Sequence, residues 1–341
     1  MSTSNDQTKL LIYNVIIIGG GCAGLSASIY CARANLNPIT FVGNLNDKGG
    51  LLVKTSIVEN YPGYSDGIMG YDLIQGMESQ AVNSGTQIIE HEIVSVDFSK
   101  KPFMVKDDGD NIYYSNSIII ATGSKPNKLL LLDEDRLWAN GISSCAVCDG
   151  ALFKNKKIVV VGGGDTAMEE AQFLTKFSNV TLIHRRDTFR ASKVMQTKII
   201  KNPKINIIYN SHIVKLNGKT KLTSIIIKNL LTEEETELMV DGLFYGLGLK
   251  PNTQIFNGQV DMDNDGYILH NQNVDYETMT SIDGIFVAGD SHDIIYRQAI
   301  VAAGDGCKAA LDVNDYLTHK VVEVEINDIM IANDINNNVS V

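Results

Sequence analysis

The chain has 341 residues, enough for two domains of about 100–200 residues each, and its 44% hydrophobic and 20% charged residues are an ordinary globular balance. A formal charge of −11 argues against a nucleic-acid polyanion as the main partner. No run approaches the roughly 20 apolar residues of a membrane span. The polar segment Met1 to Lys9 lacks both signal-peptide and Arg-rich transit patterns, so a cytosolic protein is expected.

The first readable element is residues 15–43, VIIIGGGCAGLSASIYCARANLNPITFVG: an apolar strand, a Gly-rich turn, a helix and a second strand. In such a turn the first glycine (Gly19) permits the tight bend and the second (Gly21) admits a pyrophosphate. The third (Gly24) allows close helix–strand packing. The unpaired N–H groups at the helix start then face the phosphate. This copy ends Phe41-Val42-Gly43, without the acid that would hold an adenosine ribose. A short apolar strand at Ser117–Ala121 follows, stopped by Thr122-Gly123.

Five cysteines, at 22, 31, 145, 148 and 307, are too few and too odd in number for a secreted disulfide framework. Only Cys145-Ala-Val-Cys148-Asp149-Gly150 places two of them close together. A zinc site would need two further ligands at comparable spacing, and no His pair supplies them. A Cys-x-x-Cys pair forms and opens a small disulfide ring, and Asp149 beside it is placed to act as general acid when the ring is reduced. Cys22, Cys31 and Cys307 fall among small apolar residues of helices and read as buried packing.

Residues 158–186, IVVVGGGDTAMEEAQFLTKFSNVTLIHRR, repeat the first pattern. Aligning Gly19 with Gly162 also aligns Gly21 with Gly164 and Val42 with Arg185, with no gap. At the end of the second strand the chain reads His184-Arg185-Arg186-Asp187-Thr188-Phe189-Arg190. Guanidinium groups there suit a ribose 2′-phosphate, which points to NADPH. Further strands are expected at Gly242–Tyr245, before Gly246-Leu247-Gly248, and at Gly284–Ala288, before Gly289-Asp290. Asp290 is positioned to meet ribitol hydroxyls of FAD, and the backbone near Arg297-Gln298-Ala299 to face the flavin ring. Residues 319–341 read either as an edge strand, from the partial alternation of VVEVEINDIMIA, or as a polar tail.

With these residues in view the chain resembles the low-molecular-weight thioredoxin reductases over about residues 10–318. The stretches are VENYPGY (58–64), ATG (121–123), CAVCDG (145–150), GGGDTAMEEA (162–171), HRRDTFRA (184–191), PNT (251–253), GIFVAGD (284–290) and YRQAIVAAGDGCKAAL (296–311). The resemblance implies an α/β fold of two Rossmann-like, three-layer nucleotide-binding domains. The NADPH domain (123–249) is inserted into a discontinuous FAD domain (1–122 and 250–318), and 319–341 is an extension. It implies FAD contacts at Gly19, Gly21, Cys22, Ala23, Gly24, Gly43, Gly49, Gly50, Leu51 and Asn60. Others are implied at Ala121, Thr122, Gly123, Gly289, Asp290, Arg297, Gln298 and Ala299. NADPH falls to Gly162, Gly164, Asp165, Thr166, His184, Arg185, Arg186 and Arg190.

The implied activity is reduction of thioredoxin by a homodimer. By family pattern Cys148 is the flavin-proximal sulfur and Cys145 attacks the thioredoxin disulfide, while the inserted domain swivels on two linker strands. The sequence departs from the family at Gly49-Gly50-Leu51-Leu52, where Gly-Gly-Gln-Leu is usual, and at Leu249, where the second linker usually carries His. Two rival readings are an oxygen-using oxidase of small dithiols, against which the intact Arg185–Arg190 cluster argues, and a non-catalytic redox sensor.

Overall fold

The computed structural model describes residues 11–44, 48–55, 57–270 and 275–338, with the backbone alone for 321–338. Two compact units emerge. One draws on Met1–Val53, Tyr71–Ser124 and Pro251–Val341, the other on Lys54–Gly70 and Lys125–Lys250.

In the first unit the apolar run after Leu11 forms the strand Ile12–Ile18, followed by helix Cys22–Arg33 and strand Ile39–Phe41. The opening strand pairs in parallel with Ile39–Phe41 on one side and with Ile112–Ile120 on the other. The latter is longer than the expected Ser117–Ala121 because its first half also pairs antiparallel with Phe103–Asp107. Gln87–Ile89 and Ile285–Val287 add parallel strands, and Ile93–Asp97 closes the seven-stranded sheet.

The near-continuous apolar strand is what a sheet covered on both faces requires. Ile16, Ile18, Ile118 and Ile120 enter one core with Phe41, Phe98 and Phe103. Val15, Ile17, Ile119 and Ala121 enter the other with Ala23, Ala27 and Val313. The period of two thus divides one sequence run between two cores.

The second unit repeats this arrangement. Ile158–Gly162, the central strand, lies between Gly242–Gly246 and Val180–Ile183 in a five-stranded, all-parallel sheet, with Ile142–Ser143 and Ile205–Ile208 at its edges. Val159 and Val161 face one core, Ile158 and Val160 the other. A three-stranded antiparallel sheet, Ser211–Asn217, Ser224–Asn229 and Glu235–Met239, packs into the first of these cores through Ile213, Leu216, Ile225 and Ile227. Segment 54–70, expected with the first unit, groups with the second; its Ile57–Val58 and Ile68–Met69 strands pair only with each other. Where the chain crosses between units, Ser124–Pro126 and Leu249–Pro251 form a two-stranded ladder.

The C-terminal segment corrects the expectation of an edge strand or tail: helix Ala299–Asn338 runs through it, and only 339–341 lie outside the described residues. Extending a formed helix avoids a new nucleus, whereas an alternating segment needs a sheet edge to pair with. Among the described residues no helix is long and apolar enough to cross a membrane. This C-terminal helix packs on Cys22–Arg33 through Gly306, where an added Cβ would lie 2.0 Å from the Ala23 carbonyl oxygen. Gly306→Val should therefore lower stability by about 1–3 kcal/mol, read as a lower urea midpoint with an unchanged m-value.

Candidate active site

Ser143 ends an edge strand of the second unit, and two residues later the chain turns into the short helix Ala146–Asp149. Cys145 is its N-cap, bonded to Cys148 in a disulfide with a Cα–Cα separation of 5.3 Å. The Cys145 Sγ also accepts from the Cys148 N–H at 3.2 Å. A cysteine at this position is exposed to the positive end of the helix, which favours its thiolate once the disulfide is open. Both sulfur-bearing residues are half-buried, and Val147 between them is exposed.

Two carboxyls flank this helix. Asp149 Oδ2 accepts from Ser143 Oγ at 2.6 Å, and Ser143 Oγ in turn accepts from the Cys145 N–H at 3.1 Å. Burial pushes Asp149 above the usual carboxylate range, with Glu59 raising it further, against the opposing Ser143 hydrogen bond. That favours a protonated acid next to the dithiol. Glu170 Oε2 accepts from the Ala146 N–H at 2.6 Å, and burial first, then the nearby Asp149, pushes its carboxyl up to about 8.

Glu170 and Ser143 were absent from the sequence expectations. The signal for Glu170 is its place on helix Asp165–Leu174, three residues after the buried Ala167 and four before the buried Leu174. An acid on the buried face of an amphipathic helix marks a special environment.

The same helix opens the second Gly-rich turn. Gly162 has φ +152, and a Cβ there would lie 2.3 Å from the Gly246 oxygen. Gly164 has only Arg190 near its open side, while Ala167 packs fully buried. The Arg-bearing loop is tied to this turn: the Arg190 N–H donates to the Gly163 oxygen at 2.8 Å, and the Ser192 N–H to Asp165 Oδ1 at 2.9 Å. His184 is buried against Phe189 with Nε2 3.0 Å from the Thr188 oxygen. Burial, with Arg186 and Arg185 nearby, holds its imidazole below the usual range. Arg185, Arg186 and Arg190 are exposed, and Thr166 is half-buried in the first turn of the helix. The structure therefore brings Gly162, Gly164, Asp165, Thr166 and the 184–190 loop to one end of this sheet.

In the first unit the other predicted residues converge in the same way. A Cβ on Gly24 would lie 1.8 Å from the Gly19 oxygen, and one on Gly19 would lie 2.1 Å from the Ala121 oxygen; Gly21 is open. A Cβ on Gly289 would meet Ala23 at 2.9 Å and Ala302 at 3.4 Å, so the 289–290 turn sits against the starts of two helices. Asp290 Oδ2 accepts from Ser124 Oγ at 3.0 Å, and burial pushes this carboxyl up despite that bond. Thr122 Oγ1 and Arg297 Nε are buried polar atoms with no hydrogen-bond partner.

Gly43 follows the second strand with φ 84, and Gly123 follows Thr122 with φ 67. Gln298 and Ala299 stand at the start of the C-terminal helix. Gly49, Gly50 and Leu51 form a turn whose Lys48 reaches Glu78 at 2.8 Å and Glu90 at 2.6 Å. Asn60 lies on the 54–70 segment and groups with the second unit.

Cys22 and Cys31 are buried, and their thiols are pushed up to about 12 by burial, Cys22 with a further contribution from Asp290. Cys307, expected to be buried as well, is half-buried, its thiol hydrogen-bonded to Tyr30 on the first-unit helix.

A family profile described as "Pyridine nucleotide-disulphide oxidoreductase" matches residues 13–306. The thioredoxin reductase of Streptomyces clavuligerus is 47% identical over 307 residues, covering 90% of this chain and 94% of its own. Among solved structures, thioredoxin reductase from Giardia duodenalis superposes with a TM-score of 0.83 at 40% identity, covering 89% of this chain and 98% of that one. The enzyme from Streptococcus pyogenes gives 0.84 at 35% identity, covering 90% and 99%.

The Glu170 carboxyl makes stability depend on pH. Its folded value of about 8 lies above the ordinary 4.5, so the stability linked to its proton is present at low pH and lost as pH rises through about 8. The urea midpoint of the wild type should fall between about pH 5 and pH 9, and Glu170→Gln should flatten that fall.

Proposed function

The chain belongs to the pyridine nucleotide-disulphide oxidoreductase family and, within it, to the thioredoxin reductases, with two Rossmann-like α/β units; from that premise we propose that it reduces the disulfide of a thioredoxin with electrons from NADPH, passed through bound FAD to Cys145–Cys148. The observation that carries the reading is the disulfide itself, capping a helix beside an acid, in the unit whose Gly-rich turn is tied to an arginine loop.

Two features of the chain fit these cofactors. In the first unit, glycines that admit no Cβ surround the open Gly21, and Asp290, Thr122 Oγ1 and Arg297 Nε supply polar groups with capacity to spare. These residues would hold FAD. In the second unit Gly162, Gly164, Asp165 and Thr166 would meet the pyrophosphate of NADPH, and His184, Arg185, Arg186 and Arg190 its 2′-phosphate. FAD, when bound, supplies the two-electron step between the nicotinamide and the disulfide.

The chain's own residues account for the rest. Opening Cys145–Cys148 consumes two electrons and two protons, and Asp149, whose carboxyl burial pushes up, is placed to deliver one of those protons to the dithiol. Cys145, favoured as a thiolate at the helix N-cap, attacks the thioredoxin disulfide; one S–S bond breaks as the mixed disulfide forms. Cys148 then attacks Cys145, restoring the Cys145–Cys148 bond and releasing thioredoxin as the dithiol. The homodimer and the cytosolic location belong to the same reading, and a reducing compartment suits the free Cys22 and Cys31.

Cys148→Ser should retain flavin bleaching by NADPH while thioredoxin reduction is abolished, and Asp149→Asn should slow thioredoxin reduction about 10²–10⁴-fold. An enzyme whose flavin bleaches but which turns over no thioredoxin would retain the cofactors and lose the proposed substrate. Replacing Arg185 and Arg186 together by Ala should raise the KM for NADPH about tenfold or more and leave that for NADH nearly unchanged. Equal effects on both nucleotides would overturn the 2′-phosphate assignment.

A further inference from the structure

Glu170 has no part in the proton and thiol steps above, yet it touches the redox helix directly. Among the described residues its one hydrogen-bond partner is the Ala146 N–H, at 2.6 Å, which belongs to the peptide joining Ala146 to Cys145. No cation among the described residues forms an ion pair with it. Helix Lys193–Ile200 packs against the helix that carries Glu170, and neither of its lysines, Lys193 or Lys198, bonds to the carboxyl. The three strands packed against that helix contribute only Tyr245 as a titratable group, and Tyr245 is bonded to Glu134. The charged groups that act on Glu170 are acids: Asp149 on the dithiol helix and Glu169 on its own.

An amide oxygen would satisfy the Ala146 N–H equally well. A half-buried carboxyl without a cation, among other acids, is therefore costly as a purely structural device, and what it adds over an amide is a charge that can be switched.

We propose that Glu170 is a positioning residue for the dithiol, fixing the N-terminus of the Cys145–Asp149 helix and setting, by its own protonation, how readily Cys145 becomes a thiolate. Neutral Glu170 leaves the positive helix end to favour the Cys145 thiolate; ionised Glu170 opposes it with a negative charge one peptide away. Burial places that switch at about 8, so the neutral form predominates near neutrality. The two groups titrate as a coupled pair, each opposing ionisation of the other. The same helix carries the 162–164 turn at its N-terminus, so the group that grips the dithiol stands on the element assigned above to the nucleotide. The inference deepens the proposed reduction of thioredoxin and rests on that reading for its biological meaning.

The test uses the purified holoprotein, reduced with dithiothreitol, freed of reductant and alkylated with iodoacetamide across a pH series. Fragment-ion sequencing of the tryptic peptide 137–154 reports Cys145 separately from Cys148, and the half-buried Cys307 falls on another peptide. In the wild type the Cys145 rate should rise in two overlapping steps. Glu170→Gln, which keeps the acceptor for the Ala146 N–H, should give one step and an alkylation rate about threefold to tenfold higher around pH 8. Glu169→Gln, which removes an exposed charge from the same helix, should leave the two steps in place. A Glu170→Gln profile that superimposes on the wild type, or a Glu169→Gln profile that changes equally, would overturn the proposal. Because dithiothreitol opens the disulfide without NADPH, a failure of NADPH to bleach the flavin would sink the proposed function and leave this result standing.

Discussion

The Gly19 N–H donates to the Phe41 oxygen at 2.8 Å, and the Ala121 N–H to the Ile18 oxygen at the same distance. The Ala288 N–H reaches the Ile120 oxygen at 2.9 Å. These bonds continue a parallel ladder past the ends of four strands, so the loops that follow them leave the sheet at one level. Parallel pairing forces this, because every strand in register ends on the same edge and each crossover helix begins there. Gly19, Gly43, Thr122 and Asp290 lie far apart in the chain and meet only through that edge. The second unit obeys the same rule with Gly162, Gly246 and His184, where a Cβ on Gly162 would meet the Gly246 oxygen and one on Gly246 would meet Ala167.

The dithiol depends on a second constraint, the cost of burying charge. Ser143, Asp149, Glu170 and the N–H groups of Cys145 and Ala146 form a small polar cluster at the edge of a hydrophobic core. With no cation to compensate, both carboxyls are driven toward their neutral forms. A site that must take up and release protons as a disulfide opens and closes benefits from acids held in this way. The cysteines outside the pair follow the opposite logic. Cys22 and Cys31 are buried among apolar residues that push their thiols far above neutrality, which keeps them out of disulfide exchange.

The departures from the family pattern take on physical form in the structure. Lys48 ties the turn containing Leu51 to Glu78 and Glu90, so anchoring of that loop does not rest on the missing amide. Leu249 lies in the two-stranded ladder, where its backbone pairs regardless of its side chain. The long C-terminal helix takes in residues whose alternation resembled a strand, and it packs on the first-unit helix through Ala309, Ala310 and Val313 against Ala23, Ala27 and Cys31, with a close backbone approach at Gly306.

Sequence alone determined the two βαβ repeats, the α/β class, the redox pair and the arginine loop, because each is written in a local run whose spacing has a direct geometric meaning. Glycines at fixed offsets, a strand end followed by arginines, and two cysteines three residues apart need no distant partner to be read. Tertiary structure alone decided the role of Glu170, the serine behind Asp149, the half-exposure of Cys307 and the grouping of 54–70 with the second unit. Each of these depends on what lies across space from a residue. Glu170 and Ala146 are 24 positions apart, and only the packing of one helix against another makes a carboxyl and an N–H partners and removes the water that would otherwise fix the acid's charge.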